Sequence, residues 1–218
     1  MKKLILIATL ITFISSCKSK NENHLDLSNA TILIATSIKQ PVYKTSQEIL
    51  TEEIEKRTEL QLQTSEKWNS KTTIALALIS DTSLFGKELP NTDAIIEKEG
   101  YRLFHKKEGK KNILWIIGAD ERGILYGIGK LLRSAEMRPN QITISNNIDI
   151  STAPEYALRG HQFGYRNTAN SWDSWTVEQF DQHFREQLIF GANSFENIPL
   201  QKPSSSPHFK VNPQEMEV

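Results

Sequence analysis

One stretch of the sequence, residues 118–133, constrains the fold more than any other. It reads GADERGILYGIGKLLR and follows a short apolar run, residues 112–117, that is typical of a buried strand. Asp120 stands where a helix N-cap belongs, and apolar residues then recur at helical spacing. The pattern predicts a strand followed at once by a helix. Gly123 and Gly127 fall on one stripe of that helix, where missing side chains would let it lie close to a sheet.

Glycines between a strand and a helix also occur in phosphate-binding loops, but the spacing here does not match one. The GIGKLL segment falls in mid-helix, where the backbone amides are already paired. The sequence therefore argues against a nucleotide site, and we expect no cofactor and no metal.

The remaining patterns place further strands and one more helix around this unit. Residues 42–58 carry apolar side chains on one helical face, and Gly86 and Pro90 indicate a loop over residues 80–91. Pro139 is expected to end the helix that begins after Asp120. Strands are predicted at residues 30–37, 60–64, 72–79, 100–107 and 112–118, with one or two more between 142 and 150. Residues 30–152 are therefore predicted to form an α/β domain of α+β-like character, a sheet with helices on one face.

The pattern changes after residue 152. Residues 156–163 and 193–198 read as strands, and Thr176 with Gln179 forms a capping box at the start of a helix that Gly191 ends. A strand, a helix and a strand in this order are how a (β/α)8 barrel, also called a TIM barrel, begins. Because such a barrel takes about 250 residues, we expect residues 153–218 to be the opening of a truncated one.

The N-terminus has the layout of an export signal. Lys2 and Lys3 precede an apolar segment, residues 4–14, and two serines come before Cys17, the single cysteine of the chain. This order resembles a bacterial lipoprotein signal, in which cleavage leaves the cysteine as a lipidated N-terminus. An ordinary secretory signal with an incidental cysteine is the alternative.

We therefore expect residues 1–17 to be a lipoprotein signal peptide and residues 18–29 to be a polar linker. The protein would be exported to the cell envelope and lipid-anchored at Cys17, at the outer membrane or the periplasmic face. Its 26 Lys and Arg balance its 26 Asp and Glu, which argues against a nucleic-acid partner.

The pattern G-x-D-x-R-G-x-x-Y-G-x-x-x-L-L-R after a strand resembles the small α/β domain that precedes the catalytic barrel in bacterial β-N-acetylhexosaminidases and α-glucuronidases. The resemblance implies the N-terminal portion of a glycoside hydrolase that acts on O-glycosyl bonds of polysaccharides or glycans. It places the catalytic carboxylates on later barrel strands, so we expect no catalytic residue in this chain and no activity from it alone. A non-catalytic carbohydrate-binding or scaffold lipoprotein is the alternative.

Two candidate substrate-binding residues lie on the first barrel strand. Hexosaminidases carry an Arg-Gly pair there whose arginine hydrogen-bonds sugar hydroxyls, and Arg159-Gly160 matches it. A structural ion pair is the alternative role for Arg159. His161 is predicted to share a strand face with Arg159, as a substrate ligand or as a hydrogen-bonded barrel residue.

Three further candidates follow. Glu196 and Asn197 stand near the end of the second strand, where a carboxylate is costly unless it is paired or used. Trp172, with Trp175 nearby, is a candidate apolar face for a sugar ring, or else packs on the neighbouring domain. The resemblance departs from hexosaminidases at Gly164, where they carry an aspartate, and this leaves α-glucuronidases at least equally plausible relatives.

Overall fold

The computed structural model describes residues 23–92, 97–163 and 175–197. The elements of these ranges are, in chain order, β1 (His24–Asp26), β2 (Thr31–Ile34), α1 (Val42–Thr58), β3 (Gln63–Thr64), β4 (Thr72–Leu78), β5 (Ser83–Leu84), β6 (Lys87–Glu88), β7 (Tyr101–Glu108), β8 (Lys111–Gly118), α2 (Glu121–Ser134), β9 (Glu136–Arg138), β10 (Gln141–Ser145), β11 (Asp149–Thr152), β12 (Gly160–Phe163), α3 (Val177–Ile189) and β13 (Ser194–Asn197).

The core is a mixed six-stranded sheet in the order β11-β7-β8-β4-β2-β3. The strands β3, β2, β4 and β8 are parallel, and the β7–β8 hairpin and β11 add antiparallel pairs. Residues 113–118 of β8 are all buried, as expected for a strand covered on both faces. The helix α2 packs on β8, β7 and β4, and α1 packs on α2, so the predicted α/β domain with its helical layer is confirmed.

The opposite face of the sheet is covered by aromatic side chains and a short hairpin. Trp115 of β8 is fully buried, and its ring centroid lies 5.7 Å from that of Trp68. The Trp68 indole N–H donates a 2.9 Å hydrogen bond to the Leu84 carbonyl in the β5–β6 hairpin. The segment predicted as a loop over residues 80–91 therefore contains two paired strands.

The glycines of α2 allow the close helix–sheet contact that the sequence predicts. A Cβ at Gly127 would lie 2.4 Å from Ile116 Cγ2, so a side chain there has no room unless β8 moves. Asp120 caps the helix as predicted, because its Oδ1 accepts from the Gly123 amide at 2.9 Å.

Gly127→Ala should lower the free energy of unfolding by about 1–3 kcal/mol, the usual cost of overpacking a filled core. The added methyl group meets a buried isoleucine on a central strand, not a flexible surface side chain. Urea titration followed by tryptophan fluorescence measures the change. Ser134→Ala, at the last residue of the same helix, is the control. Equal stabilities of the two variants would contradict the contact.

Two local features differ from the sequence prediction. His24–Asp26, within the predicted linker, forms β1 and pairs with β10, and Leu25 and Leu27 are buried. The helix α2 ends at Ser134, not at Pro139, because Ala135 has extended backbone and the chain continues into β9, which pairs with β10.

The segment after residue 152 contains the predicted strand, helix and strand. The strands β12 and β13 are parallel neighbours, with Gly160 opposite Ser194. The capping box of Thr176 and Gln179 is present at the start of α3. A Cβ at Gly129 of α2 would lie 2.3 Å from the Ile189 carbonyl, so the end of α3 rests directly on α2. The domain boundaries drawn from the sequence stay a prediction.

Candidate functional site

The carboxyl ends of β12 and β13 are the place where a (β/α)8 barrel would carry its site. Gln162 and Glu196 are register partners on these strands, one residue before the end of each. The Gln162 side-chain amide donates a 2.9 Å hydrogen bond to Glu196 Oε2, and both residues are exposed. The pair presents a carboxylate, held by an amide, at the position that Glu196 was predicted to occupy.

His161 lies on the other face of the same sheet, against α3. Its ring centroid is 5.7 Å from that of His183, and the neighbouring Phe195 ring lies 4.7 Å from Phe184. Burial lowers the pKa of His183, and the adjacent His161 lowers it further. The structure therefore places His161 on the helix side of the strand, away from the pair of Gln162 and Glu196.

Arg159 precedes β12 and so lies at the opposite end of the strand from Gln162. Its Nη2 lies 2.6 Å from Glu99 Oε2, Nε donates to the Gly191 carbonyl at 2.7 Å, and Nη1 donates to the Tyr156 carbonyl at 2.6 Å. The guanidinium also stacks over the Tyr126 ring, 5.2 Å from its centroid. The ion pair that the sequence left open for Arg159 is present, and its role in sugar binding stays a prediction.

Glu99 is the centre of this charged cluster. It is only 5% exposed, and its carboxylate also accepts from Arg122 Nη1 at 2.7 Å and from the Asn193 side-chain amide at 3.3 Å. Burial alone would raise the pKa of Glu99, but the hydrogen bonds from Arg122, Arg159 and Asn193 outweigh it and hold the pKa at about 2. Glu99 is thus a carboxylate that stays ionised while joining the α/β domain to the first barrel strand.

The backbone around Glu99 is held by the cap of α2. Glu99 has φ +62°, an uncommon conformation for a residue with a side chain, and its amide donates to Asp120 Oδ2 at 2.8 Å. Asp120 uses its other oxygen to cap the helix. One carboxylate therefore fixes both the helix start and the loop that presents Glu99.

Sequence reasoning missed Glu99 and Gln162. For Gln162 a signal existed, since alternation along the strand places it on the face opposite His161. Three other candidates stay predictions, because Cys17, Trp172 and the side chain of Asn197 lie outside the described part of the chain. Within the described ranges, no group of three or more side chains of the metal-binding types comes together, and no helix has the length and apolar character needed to cross a bilayer.

These observations agree with a match to a family model. The model described as the N-terminus of glycosyl hydrolase family 67 matches residues 13–131, more than half of the chain. This chain belongs to that family. The matched residues include five of the six strands of the central sheet and end within α2, so the match covers most of the α/β unit described above.

Solved structures show the same fold as this family 67 domain and the strands that follow it. A family 20 exo-β-N-acetylglucosaminidase from Vibrio harveyi has 14% identity and a TM-score of 0.54, over 80% of this chain and 22% of its own. A family 115 4-O-methyl-α-glucuronidase with specificity for decorated arabinogalactans has 17% identity and a TM-score of 0.58, over 80% and 26%. A β-N-acetylhexosaminidase from Bacteroides fragilis has 15% identity and a TM-score of 0.51, over 80% and 29%.

At these identities the likeness concerns the fold alone. The chain spans about a quarter of the length of these structures. No curated protein sequence matches the family 67 domain or the rest of the chain with significance. The resemblance to the N-terminal region of hexosaminidases and α-glucuronidases, predicted from the sequence pattern around α2, is confirmed.

Proposed function

We propose that the chain is the N-terminal portion of an exported, lipid-anchored glycoside hydrolase that cleaves O-glycosyl bonds of polysaccharides or glycans. The observation that carries the proposal is the family 67 match over residues 13–131, followed after β11 by a parallel strand–helix–strand unit of the kind that opens a barrel. Both the α-glucuronidase type and the hexosaminidase type are candidates, because solved structures of each share the fold of this chain.

Glycoside hydrolysis normally needs two carboxyl groups about 5–9.5 Å apart, one on each side of the scissile bond. Glu196 is the one carboxylate on β12 and β13. We therefore assign the catalytic pair to further barrel strands and give Glu196 a binding role. A carboxylate oriented by the Gln162 amide is a strong acceptor for sugar hydroxyls. The residues of this chain are expected to have no hydrolase activity by themselves.

The test of this function is a panel of substrates given to the complete gene product. Release of 4-O-methylglucuronic acid from decorated oligosaccharides, without cleavage of aryl N-acetylglucosaminides, supports the α-glucuronidase type. The reverse result supports the hexosaminidase type. Glycan binding without any hydrolysis would contradict the enzyme and favour a carbohydrate-binding scaffold.

Glu196→Gln in the complete product should lower kcat/KM by about 10- to 100-fold, the cost of weakening a hydrogen bond to a charged acceptor in a site. The substituted amide keeps the size of the side chain but loses the charge and one acceptor. Steady-state kinetics on the preferred substrate measures the loss. Glu155→Gln, an exposed glutamate before β12, is the matched control and should leave kcat/KM unchanged. Equal values for both variants would remove Glu196 from the binding site.

Cys17→Ala should abolish lipid attachment and leave the signal peptide uncleaved. Lipoprotein processing requires the thiol, and the chain has no other cysteine that could replace it. Intact mass of the membrane-extracted protein, together with its partition between detergent and water, measures the outcome. A wild-type protein that starts after residue 17 and carries no lipid would instead support an ordinary secretory signal.

A further inference from the structure

A concentration of positive charge marks one end of the six-stranded sheet. The tip of the β7–β8 hairpin, residues 106–111, reads KKEGKK. The loop before β4 lies beside it, because the Asn112 amide donates to the Lys71 carbonyl at 2.8 Å. The Lys111 ammonium donates to the Trp68 carbonyl at 2.6 Å, which ties the loop to the turn. We call this surface the lysine tip, and its exposed lysines are Lys67, Lys71, Lys106, Lys107, Lys110 and Lys111.

The lysine tip is only partly neutralised. Glu108, the one acid in the turn, lies 3.2 Å from Lys106 Nζ and also pairs with Lys87 of β6. The other acids of the adjoining segments are Glu66 and Glu88, so the six lysines of the lysine tip together with Lys87 face three glutamates. The whole chain is neutral, and this end is therefore locally positive. Lys107 and Lys110 extend from the turn as exposed cations.

The chain leaves the described fold at the same end. The Asn23 carbonyl accepts from the Asn146 amide at 2.9 Å, and the Asn146 carbonyl lies 2.8 Å from His105 Nδ1. His105 precedes Lys106 on β7, and its Nε2 lies 3.1 Å from Asn112 Oδ1, next to Lys111. Cys17 comes six residues before Asn23, a stretch that spans at most about 20 Å when fully extended.

The opposite end of the sheet carries the segment after residue 152. The strand β8 runs from Lys111 in the lysine tip to Gly118, and the cluster of Glu99 and Arg159 lies beyond Gly118. Eight residues of strand span about 25 Å, more than twice the Debye length at physiological salt. Charges at this far end are therefore screened from any surface that the lysine tip touches.

We propose that the lysine tip binds anionic phospholipid headgroups of the membrane that holds the Cys17 lipid, and so points β12 and β13 away from the bilayer. The inference rests on the proposed lipid anchor, which would bring the lysine tip within the reach of the short connecting segment. A lipid chain and a basic patch together form a two-part signal that gives stable membrane attachment. Lysines near an anionic surface each add to this attraction.

The experiment measures amine acetylation of the full-length protein, reconstituted into vesicles and read residue by residue by mass spectrometry. On phosphatidylglycerol vesicles at low salt, Lys107 and Lys110 should react several-fold more slowly than in detergent, and high salt should restore their rates. On phosphatidylcholine vesicles their rates should not fall. Lys39 and Lys98, two exposed lysines at the far end of the sheet, are internal controls and should react equally in all four conditions.

A charge variant tests the lysine tip itself. In Lys107→Gln/Lys110→Gln, the equilibrium constant for contact between the lysine tip and the phosphatidylglycerol vesicle should fall roughly fivefold for each lysine removed. The protection of Lys71 from acetylation measures this constant. Lys39→Gln/Lys98→Gln removes the same charge from the far end and should leave the protection of Lys71 unchanged.

The outcomes separate the inference from the anchor on which it rests. Intact mass shows whether Cys17 carries lipid. If it carries none, the anchor proposal fails. Protection of Lys107 and Lys110 from acetylation by added phosphatidylglycerol vesicles still tests the lysine tip in that case. Equal rates on the two lipids would overturn the inference. Stronger protection by a soluble acidic polysaccharide than by phosphatidylglycerol at equal charge would also overturn it, and would make the lysine tip a polysaccharide site.

Discussion

Replacing Arg159 with alanine is expected to lower the free energy of unfolding by about 3 to 5 kcal/mol, the usual cost of breaking a buried ion pair from one side. The side chain of Glu99 is 7% exposed, so after the loss of Arg159 it keeps Arg122 and Asn193 but cannot replace the lost partner with water. The variant also loses the hydrogen bonds to the Gly191 and Tyr156 carbonyls and the stacking on Tyr126. Urea unfolding of the full chain measures the change.

Arg122→Ala is the matched control, since Arg122 pairs with the same carboxylate but its side chain is 57% exposed. Its loss should cost about 1 kcal/mol or less, as for surface ion pairs. The same variants, placed in the complete gene product, also resolve the second role suggested for Arg159. A structural ion pair predicts lower stability, and a sugar ligand predicts weaker glycan binding at unchanged stability. Unchanged stability with unchanged glycan affinity would contradict both roles.

The elements predicted most accurately from the sequence are those whose signal is local. The helix α1 has the bounds that its apolar face predicts, and the caps of Asp120 and Thr176 depend only on residues within one helical turn. The strand β1 offers no such signal, because three residues show no periodicity and its burial depends on pairing with β10. The predicted end of α2 was wrong for the same reason, since β9 forms only because β10 is beside it.

The candidate site shows the same limit. Glu196 is a candidate because a carboxylate near a strand end stands out in the sequence by itself, whereas Gln162 becomes one only as its cross-strand neighbour. Glu99 follows a segment without a clear pattern, and its partner Arg159 is 60 residues away in the sequence. Only folding brings together a loop before β7, the start of α2 and the first barrel strand. No single segment of the sequence carries that information.

The stability of the protein is expected to fall by about 3 kcal/mol between pH 5 and pH 2 through Glu99 alone. Its pKa moves from 4.5, the ordinary value, to about 2 in the folded protein, and each unit corresponds to about 1.4 kcal/mol. Because the folded pKa is the lower one, the stabilisation is fully present above pH 4.5 and is lost as the pH falls through 2. In this window the unfolded chain binds a proton that the folded protein does not, so stability rises with pH.

Other carboxylates also contribute to acid sensitivity, since hydrogen bonds lower the pKa of Glu108, from Lys87, and of Asp149, from Arg102. The share of Glu99 is therefore measured as a difference between variants. In Glu99→Gln, the slope of the unfolding free energy against pH between pH 2 and 4.5 should decrease by up to about 1.4 kcal/mol per pH unit. This is the slope that results when unfolding takes up one proton. Glu108→Gln, at a side chain that is 29% exposed, should change the slope less. If the wild type and Glu99→Gln lose stability in parallel across this range, Glu99 is not held ionised at the junction, and the ion pair with Arg159 does not join the α/β domain to β12.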